Sequence, residues 1–203
     1  MQRAHDSRLC KINHSSMQSV THQSTLLRAF IGTLMTPHIT SSEELSAQGL
    51  HTRIAKAQDL ANIVSLINYA FLDENPYLLR DRVDFEEIRG LMKKGSFLLV
   101  EEAGKIIALI YAEILGQGRG YLGLLVVDPT RRRDGVGKQL LLDGEDFCRQ
   151  YGCRLVEGIV INRRPDLLER YKRRGFRVVR ETPGDRLDHV DGGYSLILIE
   201  KEL

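Results

Sequence analysis

Cysteine is scarce in this chain of 203 residues: Cys10, Cys148 and Cys153 are the only three. An odd, sparse set without metal-ligand spacing excludes a disulfide framework and a zinc-type site, and points to a reducing compartment. Cys148 and Cys153 read as small buried apolar side chains. Long hydrophobic runs are missing too. No stretch approaches the ~20 apolar residues of a membrane-spanning helix. Nor is there a large excess of charge of one sign. With 29 Lys and Arg against 27 Asp and Glu, the net charge of +2 is too small for a nucleic-acid binder read from balance alone. Its basic runs also lack the interleaved aromatics of a single-strand-binding surface.

What is present is the make-up of an ordinary globule, 42% apolar and 28% charged. The length fits one domain with an appended tail, and a core of ~150 residues buries enough surface to stand without staples. The charge is unevenly placed. Residues 131–180 hold 14 of the 29 Lys and Arg against seven Asp and Glu. Such a concentration suits a phosphate-bearing partner, and equally a solvated helical face.

Residues 1–50 differ from the rest. Up to Ser42 there are seven Ser, five Thr, four Lys or Arg and one acidic residue, Asp6. Weak apolar periodicity makes this segment a disordered or loosely structured tail, a transit peptide or the product of an over-long start, since Met17 and Met35 could also initiate. The expected domain is 51–203.

From His51 the pattern is regular. Thr52 to Ala55 reads as a strand. Leu60, Ile63, Val64, Ile67 and Phe71 have helical spacing after Asp59. Phe85 to Lys94 reads as a second helix, with Phe85, Ile88, Leu91 and Met92 inward and Gly95 ending it. Strands follow at Phe97 to Val100, Ile106 to Ile114 and Tyr121 to Val127, joined by turns at Glu102–Lys105 and Gly116–Gly120. Beyond Gly137 a helix offers Leu140, Leu141, Phe147 and Cys148 for burial. Then come a strand at Leu155 to Ile161, a helix at Asp166 to Arg173, and strands at Phe176 to Val179 and Tyr194 to Ile199. The order β-α-α-β-β-β-α-β-α-β-β predicts a single α/β (mixed α+β) domain, a mixed sheet flanked by helices.

The informative stretch runs from Leu125 through Val126, Val127, Asp128 and Pro129 to Arg132, Arg133, Asp134, Gly135, Val136, Gly137 and Lys138. A buried strand ends, a loop carries two glycines, and a helix begins. Glycine lets backbone N–H groups approach a ligand, and a helix N-terminus adds unpaired donors with partial positive charge, together suited to a pyrophosphate. A tight turn before a helix would look the same. A dinucleotide fingerprint would need glycine where Leu140 stands, and a P-loop would need glycine at Arg132 and Ser or Thr at Gln139.

Val127-Asp128-Pro129 followed by Arg132-x-x-Gly135-x-Gly137 resembles the acyl-CoA signature of the GNAT superfamily of N-acetyltransferases. Tyr171-Lys172-Arg173-Arg174-Gly175-Phe176 resembles a second signature, the Tyr-x-x-x-Gly-Phe after the next strand and helix, and Asn162 ends that strand as it often does in the family. The resemblance covers about Thr52 to Leu203. It implies that residues 132–138 bind the CoA pyrophosphate, and that the strand ending Leu125-Val126-Val127 pairs with the pantetheine arm. Asn162 is the further cofactor-binding residue. Acetyl-CoA would be the acyl donor, without a metal.

Acylation of an amine by a thioester needs a neutral amine, a polarised carbonyl and a proton for the departing thiolate. Tyr171 occupies the position of the general acid in many members, although it could equally be a half-buried aromatic with a capped hydroxyl. The carboxylate many members carry before the phosphate loop is missing here, with Gly123 in its place. Glu157 is then either the base or a carboxylate held in an ion pair, and water could serve without either. Relatives acting on peptide N-termini carry a similar Glu, but the stretch from Asn162 to Tyr171 is two residues longer than theirs. His189 reads as a loop histidine, with a substrate-site role the minor alternative. Arg131 to Arg133 and Arg170 to Arg174 either contact the 3′-phosphate of CoA or are solvated.

The expected activity is acetyl transfer from acetyl-CoA to a primary amine of a small molecule, by a cytoplasmic monomer or homodimer with neither nucleic-acid nor membrane partner. The alternatives are a protein N-terminal or lysine acetyltransferase, with a groove lined by 75–83 and 184–193, a non-catalytic acyl-CoA sensor, and import into an organelle.

Overall fold

Two antiparallel hairpins set the first half of the sheet. The computed structural model describes residues 50–72, 81–184 and 194–203. The expected tail, His189 and most of the two groove-lining loops lie outside the described residues. Strand β1 (His51–Ile54) lies against β2 (Ser96–Glu102), β2 against β3 (Lys105–Gly116), and β3 against β4 (Arg119–Val127), all antiparallel. The two tight turns carry left-handed residues, Ala103 and Gly104 in one, Gln117 and Gly118 in the other.

Strand β5 (Leu155–Ile161) joins in parallel to β4, then pairs antiparallel with β7 (Ser195–Glu202), and β7 with the edge strand β6 (Arg177–Pro183). The seven-stranded order is β1-β2-β3-β4-β5-β7-β6. The one parallel pair needs a crossover, which α3 (Val136–Gln150) supplies.

Alternation along the central strands divides the core in two. Leu98, Val100, Ala108, Ile110 and Ala112 face α3, against Val136, Leu140, Leu141, Phe147 and Cys148. Phe97, Leu99, Leu109 and Tyr111 face α1 (Leu60–Leu72) and α2 (Phe85–Lys94), against Ile63, Val64, Ile67 and Ile88. Because both faces are covered, β3 is buried without a break from Ile106 to Ala112. Both cysteines that were expected inside are buried. The short α4 (Pro165–Lys172) adds Leu167, Leu168 and Tyr171 to the α3 face.

Three details depart from the periodicity reading. Phe85 is 50% exposed, although the spacing put it inward. Asp84 caps α2 by accepting from the Glu87 N–H, so Phe85 opens the first turn, whereas the helix packs through Ile88, with Leu91 and Met92 half-buried. Gly95 does end α2, but with extended backbone rather than a left-handed turn. A side chain there would collide with the Ala112 carbonyl and come within 2.7 Å of the Tyr111 hydroxyl. Finally, β6 begins at Arg177 rather than Phe176 and leaves Val178 and Val179 exposed on an edge.

One buried ion pair ties α3 to β7. Lys201 donates to both Glu145 oxygens, at 2.8 and 2.7 Å, and Glu145 is 1% exposed. Removing one partner strands the other charge in the core. Lys201→Met should therefore cost about 3 kcal/mol, a fall in Tm of roughly 10 °C by calorimetry. The double variant Lys201→Met with Glu145→Leu should recover most of it.

Candidate active site

The strand-to-helix loop is built around Asp128, which is buried at the end of β4. Burial alone would raise its pKa. Hydrogen bonds from Lys105 Nζ and from the Thr130 hydroxyl and N–H outweigh that and hold it at about 2. The anchored carboxylate starts a single 3₁₀ turn at Pro129–Arg131, and the chain then passes through Arg133 and Gly135, both left-handed, into α3.

Gly135 (φ +81°) is the N-cap of α3, and a Cβ there would meet nothing within 4 Å. The backbone thus faces open space just where the N–H groups of Val136, Gly137 and Lys138 end the helix. No acidic residue lies in that first turn to compete for them. Val136 is not itself exposed to a ligand: its side chain is 1% exposed, in the core, and fixes the helix to the sheet. Gly137 lies against β4, where a Cβ would sit 3.1 Å from Val127 Cγ2. A bound pyrophosphate fits this concave set of donors.

The arginines that flank the loop serve the loop itself. Arg132 donates to the Ala70 carbonyl at 2.9 Å, tying the loop to the C-terminal turn of α1. Arg131 pairs with Glu102 and, at 3.0 Å, with Asp134. Arg133 and Lys138 are exposed. On α4, Arg170 pairs with Asp166 and Lys172 with Glu169, and Arg174 bonds the Arg170 carbonyl. The solvated-face reading accounts for much of the basic concentration.

Next to the loop the sheet opens. Strands β4 and β5 pair only from Arg119 to Tyr121, opposite Leu155 to Glu157. Beyond that point β4 bulges: Leu109 faces Val126, Tyr111 faces Gly123, and Leu124 takes a positive φ of 48°. The segment Leu125, Val126 and Val127 continues toward the phosphate loop with its β5 side unpaired in the sheet. Main-chain groups there are available to an extended amide-bearing ligand such as a pantetheine arm.

Polar side chains from both faces of the sheet lie near β4 and β5 here. Tyr171 arrives from α4, its ring 5.2 Å from that of Phe176 in an edge arrangement. Burial pushes its phenol above the ordinary value, with the charge of Arg174 opposing. On β5, Glu157 stands opposite Tyr121, and Arg119 donates to its Oε1 through Nε and a terminal nitrogen. At the end of β5, Asn162 closes the pairing with β7: its N–H donates to the Ser195 carbonyl at 3.0 Å, and its Oδ1 accepts from the Ser195 N–H at 3.1 Å.

The α1 and α2 side supplies residues that motif reading passed over. Tyr121 lies edge-on to Tyr111, with centroids 6.3 Å apart, and the Tyr111 hydroxyl donates to Glu113 at 2.7 Å. Arg82 sits over the Phe71 ring at 5.4 Å. Arg82, Glu113, Glu157 and Tyr171 all act electrostatically on Tyr121, so these groups share one neighbourhood. The sequence signal was there in outline: Glu113 and Tyr121 are polar-tipped residues on the two strands that border the phosphate loop.

Known proteins share this fold. The acetyltransferase (GNAT) family model matches residues 58–176. No curated protein gives a match. Among solved structures, a ribosomal-protein-S18-alanine N-acetyltransferase from Escherichia coli is 15% identical with a TM-score of 0.63, over 75% of this chain and 93% of that one. The PaiA N-acetyltransferase from Thermoplasma acidophilum, in complex with coenzyme A, is 17% identical at TM-score 0.61, over 76% and 99%. A candidate phosphinothricin N-acetyltransferase is 21% identical at 0.63, over 76% and 98%. At these identities the structures share the fold, while the family match spans more than half the chain. The chain belongs to the GNAT acetyltransferase family and is an acyl-CoA-dependent N-acetyltransferase.

Proposed function

We propose that the enzyme transfers the acetyl group of acetyl-CoA directly to the primary amine of a small molecule, in the opening between β4 and β5. The observation that carries this is the adjacency of the open first turn of α3 to a stretch of β4 left outside the sheet pairing. Residues 135–138 take the pyrophosphate through backbone N–H groups, with Arg132, Arg133 and Asp134 shaping the loop that presents them. Leu125, Val126 and Val127 take the pantetheine amides, and Asn162, whose carbonyl is engaged by Ser195, offers its NH₂ group to the same arm.

In the transfer, the neutral amine adds to the thioester carbonyl, the C–S bond breaks, and Tyr171 gives its phenolic proton to the leaving thiolate. A tyrosine whose pKa lies above its usual ~10 stays protonated through the physiological range. Against a thiol of pKa ~8.5 full transfer is uphill, so the phenol first holds the departing sulfur by a hydrogen bond, and the proton it gives up is replaced from solvent. Glu157 takes the proton released by the amine nitrogen through the oxygen that Arg119 does not hold. A small acceptor suits a site bordered by the partly buried Tyr121, whose ring is backed by the core side chain Tyr111. The competing reading, a peptide acceptor, draws on the exposed edge of β6, where an extended chain could add as a strand. A reducing, cytoplasmic location fits two free buried cysteines.

Acetyl-CoA at a hundred times Kd should add about 2.7 kcal/mol of stability by mass action, a rise in Tm of roughly 5 to 10 °C, with NAD and ATP far weaker. Equal stabilisation by ATP would contradict the assignment. Gly135→Val should erase the acetyl-CoA shift while the protein still folds. Its left-handed backbone costs a branched residue about 1–2 kcal/mol, and its side chain would fill the open space before the helix.

Tyr171→Phe keeps the ring and removes only the acid, so kcat should fall by at least about tenfold with the acetyl-CoA affinity unchanged. Because burial raises this phenol, an alkaline fall in kcat due to its ionisation should not appear below pH ~10. Glu157→Gln should likewise lower kcat by at least about tenfold with the acetyl-CoA shift unchanged. Full activity of either variant, with chemistry rate-limiting, would remove that residue from the mechanism.

A further inference from the structure

Gly123 stands where many relatives carry a carboxylate, yet the position is not vacant. A Cβ built there would lie 2.6 Å from the Tyr121 hydroxyl oxygen and 2.7 and 2.8 Å from two carbons of its ring. Residues 121 and 123 share a face of β4, so the tyrosine ring lies down along the strand and covers the glycine. Any side chain at 123 would push the ring aside. The glycine and the tyrosine form one arrangement, in which a hydroxyl carried by residue 121 occupies the space a residue-123 side chain would take.

That hydroxyl is at the right place for chemistry. Tyr121 is the last residue of β4 paired to β5, and its ring extends from there toward the opening. Its neighbour Tyr111 has its own hydroxyl committed to Glu113. The Tyr121 hydroxyl makes no hydrogen bond among the described residues, and the residue is partly rather than fully buried. Burial pushes its pKa up to about 12; Tyr171, Glu113 and Glu157 add to the rise and Arg82 opposes it. The group facing the opening is thus a neutral hydroxyl, able to accept a hydrogen bond without carrying charge.

We propose that Tyr121 is a catalytic residue that replaces the missing carboxylate, its hydroxyl oxygen accepting a hydrogen bond from the N–H of the acceptor amine. This rests on the acetyltransferase reading above. The contact holds the nitrogen with its lone pair toward the thioester carbonyl, and orientation of this kind is a large part of what an enzyme contributes to a two-reactant step. The hydroxyl itself adds no further negative charge to hold an ammonium ion, and only the unprotonated amine attacks. No proton transfer to Tyr121 is required.

The test uses the full chain with acetyl-CoA and four probe amines: methylamine, spermidine, glycinamide and a serine-initiated tetrapeptide. Released thiol gives the rates, and the thermal shift with acetyl-CoA is measured on every variant. Tyr121→Phe, which keeps the ring, should lower kcat at least about tenfold with the probe turned over best, leaving the acetyl-CoA shift unchanged. Tyr121→Ala should do the same, and Tyr121→Ala with Gly123→Glu should regain activity over the single variant, by putting a carboxylate back in the vacated space. Tyr121 serving only to pack against Tyr111 predicts the reverse: the Phe variant keeps full kcat and the swap recovers nothing. Either result overturns the inference and leaves the acetyltransferase reading standing. If the unaltered enzyme binds acetyl-CoA yet acetylates none of the probes, the small-amine reading fails, and this inference with it.

Discussion

The parting of β4 from β5 is the constraint from which the rest of the site follows. A sheet interior normally satisfies its backbone by pairing, and unpaired strand groups in a buried setting are costly. Here the two parallel strands stay together for three residues and then separate, with a left-handed residue, Leu124, at the bulge in β4. The segment beyond the parting leads straight to the Asp128 anchor, the glycine-bearing loop and the open first turn of α3. Tyr171 approaches from one face of the gap and Tyr121 from the other. Pairing the strands along their full length would engage the β4 main-chain groups that the parting leaves outside the sheet pairing.

Holding such a gap open demands rigidity around it, and the structure supplies that with covered faces and directed polar contacts. Hydrophobic burial on both sides fixes β3 and the start of β4. Arg132 on the Ala70 carbonyl, Lys105 on Asp128 and Lys201 on Glu145 tie the loop and α3 to their surroundings. Charged residues with functional looks therefore have structural work. Arg132, part of the signature, reaches a helix end, and Glu157 is held by Arg119.

The elements were legible where one physical signal dominated. Apolar spacing in 60–71, alternation in β2 and β3, and the glycine loop before α3 each state their geometry locally, and the order of elements followed. Phe85 was misread because periodicity says which face a residue lies on and not whether the helix still has a neighbour at that turn. Gly95 was read as a helix terminator, when the deciding fact is the carbonyl and ring that approach it from β3. Tyr121 escaped notice for a related reason. A glycine at 123 reads as a loss in one dimension, and only the fold reveals that a side chain two residues earlier lies over it. The ion-pair partner of Glu157 comes from a strand 38 residues earlier, beyond any local pattern.

Backbone amide chemical shifts, followed by NMR during titration with coenzyme A, test the central claim most directly. The account predicts large shifts confined to Gly135–Lys138, to Leu124–Val127 and to the side-chain amide of Asn162. The exposed edge of β6 should remain unmoved. Perturbations centred on β6 or on the basic face of α4, with the α3 N-terminus unaffected, would contradict it.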